Sequence, residues 1–232
     1  MSDHQSFQRF TAMTAIMSFL FAVASIVLQG IPINFSPDIA ANPALWLVVG
    51  ADGASLFRWG MILDMLGYYL PLLPIALFLW RWLRSRNPDW LLFYTSCGLG
   101  YSFIGAFGAA ILAAVHPPLI NAYTQATVEQ RSVIETVFSV IWNMVFGGMW
   151  NILAVMLAGI WFLGIGLLLR GERRLFSIFS LILSISALLD SLGMILSVEA
   201  LALPAVASYV LLAPIWAVWL GIDLVRKPVQ IA

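Results

Sequence analysis

Eleven basic residues in a chain of 232 fall almost entirely on one side of six apolar runs, and this distribution constrains the fold more than any motif does. The runs lie near 11–31, 57–80, 91–115, 146–169, 174–197 and 204–225. Each is long enough to cross the ~30 Å hydrocarbon core of a bilayer as a helix. With alternate loops on opposite sides, Arg9, Arg81, Arg84, Arg86, Arg170, Arg173, Arg174, Arg226 and Lys227 share one side, and Arg58 and Arg131 lie on the other. Loops rich in Lys and Arg stay in the cytoplasm, so nine against two predicts that both termini are cytoplasmic. Run length and charge bias are independent signals, and they agree.

Composition supports the same class. The chain is 62% hydrophobic and 9% charged, far from a soluble domain. The runs leave no room for a separate soluble unit, so residues 1–232 read as one integral membrane domain. The formal net charge is zero, which gives no footprint for nucleic acid. The partner these residues point to is the lipid bilayer, with basic side chains at helix ends meeting anionic headgroups. The first run has Arg9 before it and Ala22-Val23-Ala24 within it, like a signal peptide. Its length favours an uncleaved helix.

Motif chemistry is sparse, and neither a cofactor nor a metal is expected. Cys97 is the single cysteine, too few for a disulfide within the chain or a thiolate metal site. His4 in the tail and His116 at the outer rim do not make a bis-histidine haem site inside the bundle. Neither intramembrane aspartate stands in a Gly-x-Gly-Asp motif, and His-Glu-x-x-His, Gly-x-Ser-x-Gly and phosphate-binding glycine loops are absent.

Along the chain, Gln29-Gly30-Ile31-Pro32 ends the first span. The outer loop, 32–56, carries Pro32, Pro37 and Pro43 and an apolar stretch from Ala44 to Val49, which suits a short interfacial helix or lid. Pro71 and Pro74 predict a kink in the second span. Gly98, Ser102, Gly105, Ala109 and Ala113 give the third span a small-residue face for close helix packing, and His116-Pro117-Pro118 ends it. Thr127 to Arg170 reads as one long fourth helix, bent at Gly147-Gly148. Its first part packs Val133, Val137, Ile141 and Met144 on the bundle. Pro204 begins the sixth span, and Asp223 near its end pairs with Arg226.

Two acids lie inside spans. Asp64 and Asp190 each sit about seven residues from the outer surface, roughly 10 Å deep. Intramembrane acids are costly and rarely face lipid, so matched depth suggests a shared polar pocket in the outer half. Gly60, Asp64, Gly67 and Pro71 share one face, as do Ser186, Asp190, Gly193 and Ser197. Arg58 is a candidate counter-ion, and Asn143, Asn151 and Glu135 are further polar candidates from the fourth helix. The alternative is that the acids only tie helices together. Inverted three-helix repeats are not supported: Asp64 is early in its span, Asp190 is late, and Pro71/Pro74 have no counterpart.

The stretch Ser55-Leu56-Phe57-Arg58-Trp59-Gly60-Met61-Ile62-Leu63-Asp64 resembles the start of the second span in a family of small bacterial multi-pass membrane proteins known as a domain of unknown function. The Leu77–Leu83 end, the Gly159–Arg174 turn and Leu188-Leu189-Asp190-Ser191-Leu192 are similar to it as well. Where relatives carry His or Asp before the fourth span, this chain reads Val137-Phe138-Ser139-Val140-Ile141-Trp142-Asn143. The resemblance implies a place in the bacterial inner membrane and no particular activity. It marks Arg58, Asp64 and Asp190 as positions matching the family's polar pattern.

The expected fold is all-α: a six-helix transmembrane bundle, both termini cytoplasmic, with a short outer-loop helix and a long bent fourth helix. Three functions stay open. The first is a non-enzymatic membrane protein that assembles with itself or a membrane partner. The second is a small transporter or permease-like protein binding a cation or polar ligand at Asp64 and Asp190. The third is a lipid-acting membrane enzyme.

Overall fold

The computed structural model describes residues 3–36, 42–227 and 229. Among the described residues, six helical spans are long and apolar enough to cross a membrane. The first is α1 (Asp3–Gly30). The second joins α2 (Gly50–Asp64), a π turn (Met65–Tyr69) and α3 (Leu72–Leu83). The third is α4 (Pro88–Gln125). The fourth joins α5 (Val128–Trp142), a longer π segment (Asn143–Ala154) and α6 (Val155–Leu169). The fifth and sixth are α7 (Arg174–Ile195) and α8 (Glu199–Arg226). A 3₁₀ helix, Pro43–Val48, lies in the loop after the first span, where a short helix is expected. Residues 37–41 of that loop, Pro37 among them, lie outside the described residues.

The spans form a ring. Each packs on its neighbours in sequence, and the sixth closes on the first. The closure is visible where both ends of the chain meet: the Gln8 amide donates to the Leu224 carbonyl at 2.7 Å, and the Val229 N–H donates to Gln8 Oε1 at 3.2 Å. This is the terminal end of the bundle, and the far end lies opposite. Near the terminal end the ring centre is filled by Trp161, Phe162 and Trp216, with ring centroids 5.0–5.6 Å apart.

Two serine ladders lock neighbouring spans. Ser18 and Ser25 of α1 donate to the carbonyls of Gly67 and Gly60, the second at 2.9 Å. Ser177, Ser184 and Ser191 of α7 donate to Gly166, Gly159 and Ile152 at 2.6, 2.7 and 2.9 Å. In each ladder the serines and their acceptors both step by seven residues, the period at which two tightly packed helices keep one seam facing the other. Interhelical hydrogen bonds in membranes average only ~0.6 kcal/mol. Ser184→Ala is therefore expected to lower stability by about 0.6 kcal/mol. Unfolding in SDS–detergent mixtures measures it, and a loss above about 2 kcal/mol would show that the ladder bonds are not independent.

Four expectations are corrected by packing. α4 does not end at His116-Pro117-Pro118 but runs through both prolines to Gln125. The lost N–H groups are outweighed by pairing with α5: His116 stacks on Phe138 with centroids 4.0 Å apart, and the Tyr123 hydroxyl donates to Glu135 at 2.6 Å. α4 and the fourth span have 38 and 42 residues, more than the ~20 a bilayer needs, and this hairpin takes up the surplus. In α5 Phe138 and Trp142 are buried; of the expected face, Ile141 packs half-buried on the core, while Val133, Val137 and, just after α5, Met144 are exposed. The bulkier rings have an aromatic partner in His116, and the valines face outward. α8 begins at Glu199, with Pro204 inside it. Asp223 pairs with Arg173, not Arg226: Arg173 immediately precedes α7, beside the sixth span, with its guanidinium 4.7 Å above the Trp82 ring.

Candidate functional site

The far half of the ring centre is not filled. A cavity of about 450 Å³ lies there, within the range of small-molecule sites. Both π segments line it, and the reason begins with proline.

Pro71 and Pro74 lack N–H groups, so the carbonyls of Gly67 and Leu70 lose their helical donors. The Ser18 hydroxyl takes the first and the Leu73 N–H takes the second, at 3.2 Å. Just before the break the helix widens, with the Leu70 N–H reaching back five residues to the Met65 carbonyl at 3.0 Å. In an α-helix, positions i and i+5 diverge by about 140°. The wider turn brings Tyr69 round beside Tyr68, and both line the cavity with Asp64.

The fourth span does the same with its rings. Phe138, Trp142, Phe146 and Trp150 repeat every four residues, a spacing that drifts by about 40° per step in an α-helix. Across the π segment they stay in one column: Trp142 and Phe146 stack with centroids 4.1 Å apart, and Phe146 meets Trp150 at 4.7 Å. Trp142, Phe146, Trp150 and Asn151 form that wall of the cavity.

Gly105 of α4 sets both walls. A Cβ there would lie 2.1 Å from the Tyr69 ring, and its carbonyl accepts the Trp150 indole N–H at 3.1 Å. The expected small-residue face of α4 thus admits aromatic rings. Gly98 and Gly108 do likewise for Trp161 and Trp150. The Tyr68 hydroxyl donates to the Val210 carbonyl at 2.9 Å, and the Tyr101 hydroxyl to the Tyr68 carbonyl at 3.3 Å.

Two polar atoms among the lining residues are buried and have no hydrogen-bond partner among the described residues: Asp64 Oδ2 and the Trp46 indole N–H. An unpaired buried polar group costs free energy, and one on a cavity wall is available to a ligand.

The candidate residues separate as follows. Asp64 and Asn151 share the cavity wall. Asp190 is fully buried on α7 and does not line the cavity, and neither of its oxygens has a partner among the described residues. Tyr209 lies within electrostatic reach of both acids. Arg58 and Asn143 are exposed and stand outside the wall. The aromatic wall, Tyr68, Tyr69, Tyr101 and Tyr209 above all, carries no motif in the sequence; its one legible signal is the four-residue repeat from Phe138 to Trp150. Among the described residues, no group of three or more His, Cys, Asp or Glu side chains could hold a metal ion.

Six apolar spans in a closed ring define a polytopic helical membrane protein. The chain belongs to the family described as Domain of unknown function (DUF4386), which matches residues 10–227. No curated protein and no solved structure matches it.

Proposed function

We propose that this chain is a permease-like binding protein of the bacterial cytoplasmic membrane, with an organic cation held at Asp64. Both termini face the cytoplasm, as nine of the eleven basic residues favour, and the cavity then opens in the outer half. The observation that carries the reading is one carboxylate, with an unpartnered buried oxygen, on a wall otherwise rich in aromatic rings.

A carboxylate at this depth is costly unless paired or neutralised. Aromatic faces supply no counter-charge, but they attract cations, the more so when water is excluded. A cation with an apolar body satisfies the acid and fills the rings together. Phe35, Trp46, Tyr68, Tyr69, Tyr101, Trp142, Phe146, Trp150 and Tyr209 provide that surface.

Tetraphenylphosphonium binding to the protein in lipid nanodiscs, measured by equilibrium dialysis, tests this. Saturable binding is expected, and Asp64→Asn is expected to weaken it at least tenfold while the melting temperature holds or rises. Equal binding by the variant would remove Asp64 from the site.

A further inference from the structure

We infer that the ligand is a single-chain amphiphilic cation whose head lies at Asp64 and whose alkyl chain leaves the cavity between α1 and α8 into the bilayer. This rests on the reading of Asp64 as a cation site and adds the substrate class and its route.

The seam between the first and sixth spans is tight near the terminal end. There the Gln8 amide donates to Leu224, and a Cβ on Gly221 would meet the Ala12 carbonyl oxygen at 2.9 Å. Facing residues of antiparallel helices keep a constant number sum, so this register sets Ile26 level with Val206. Both line the cavity. At that level each helix is held from its other side. Ser25 ties α1 to Gly60, and a Cβ on Gly193 would meet the backbone nitrogen of Ala202 at 2.7 Å, which fixes α8 against α7. At this level the exposed Ile26 of α1 and the half-buried Val206 of α8 both line the cavity, which puts its opening between the two helices. Tyr68, bonded to the Val210 carbonyl, forms the sill below.

The edge of this opening is largely apolar, with Gln29 and Ser36 as its polar members. Ile26 is 37% exposed and Phe35 59% exposed, yet both line the cavity with Val206 and Val210. In a membrane-spanning ring, Ile26 and the two valines, on α1 and α8, meet acyl chains, while Phe35 lies in the loop beyond α1. The cavity therefore has a charged interior wall and a hydrocarbon-facing edge, the complement of a head and a tail. A small hydrophilic cation would use only the first. An alkyl chain on the cation that reaches this edge finds its solvent in the lipid.

Photo-crosslinking to the intact protein in nanodiscs, with two dodecyltrimethylammonium probes, tests the route. A diazirine beside the ammonium is expected to label Tyr69 or Tyr101. One at the chain end is expected to label Ile26, Val206 or Val210. Labelling of interior residues alone by the chain-end probe overturns the route, as does labelling spread over all lipid-facing helices with no enrichment at the seam. Val206→Trp and, separately, Ile26→Trp narrow the edge. Each is expected to weaken dodecyltrimethylammonium at least tenfold and to leave tetramethylammonium within twofold, which also reports that the variant is folded. Tetramethylammonium binding that depends on Asp64, with no selective effect of either tryptophan, overturns the seam and leaves the cation site standing. Absence of Asp64-dependent binding for both cations overturns the cation site itself.

Discussion

Gly67→Ala is expected to cost about 3 kcal/mol of stability, at the upper end of overpacking effects. Gly67 lies in the π turn of the second span, where α1 crosses it backbone to backbone. A Cβ there would stand 2.5 Å from the Ala22 nitrogen, 2.7 Å from its Cα and 2.9 Å from the Phe21 carbonyl carbon. None of these atoms can swing away as a side-chain end can. α1 would have to withdraw, and the ladder bonds from Ser18 to Gly67 and from Ser25 to Gly60 would go with it. Gly100→Ala is the control, because its Cβ would meet only the flexible Leu157 Cδ1, at 3.1 Å. SDS unfolding of both variants should separate them, with Gly100→Ala within about 1 kcal/mol of the parent. Equal losses would mean that the α1 crossing is not as close as described.

Gly105→Ala is expected to cost about 1–3 kcal/mol and to abolish cavity binding. Its Cβ would fall 2.1 Å from two atoms of the Tyr69 ring, so the ring must leave its seat. The free space beside it is the cavity, which Tyr69 would then occupy. The Trp150 indole, held by the Gly105 carbonyl at 3.1 Å, shifts as well. One methyl group thus moves the ring of one π segment and the anchor of the other. A double-mutant cycle with Tyr69→Leu isolates the effect: the smaller side chain should relieve part of the Gly105→Ala loss, giving a coupling of about 1 kcal/mol or more. Strict additivity would show that Tyr69 and Gly105 do not share the seat.

The two predictions mark where the sequence is easy to read and where it is not. Apolar run length located all six spans, because crossing a bilayer requires a continuous stretch that chemistry alone reveals. Boundaries at proline were harder. Pro117, Pro118 and Pro204 look like helix ends, yet each sits inside a helix, because a proline costs one hydrogen bond and a packed helix pair can outweigh that. Pro71 was read as a kink; the structure adds a π turn before it, with the freed carbonyl passed to Ser18 forty-nine residues earlier. Such a partner is invisible to local pattern.

The site was partly legible. Asp64 stands out as an acid in an apolar span, and Asn151 as a polar residue in the fourth. Depth counting could place Asp64 and Asp190 at one level but not around the ring. Depth is a one-dimensional quantity, whereas sharing a wall depends on the rotation of each helix. The structure gives Asp64 to the cavity and encloses Asp190 on α7. The serine ladders were in plain view as seven-residue steps, Ser177, Ser184 and Ser191, facing Gly166 and Gly159. The aromatic column was visible as a four-residue repeat, but a periodicity of 3.6 hides it, because only π winding keeps those rings in line.

The most direct test of the cavity at Asp64 compares the two buried acids in one binding experiment. Tetraphenylphosphonium affinity would be measured in nanodiscs for the parent, Asp64→Asn and Asp190→Asn, with folding of each checked by thermal unfolding. The expected result is a loss of at least tenfold for Asp64→Asn and a change within threefold for Asp190→Asn, since only Asp64 lines the cavity. Equal losses from both, or a loss from Asp190→Asn alone, would contradict a ligand site built on Asp64 and the two π segments.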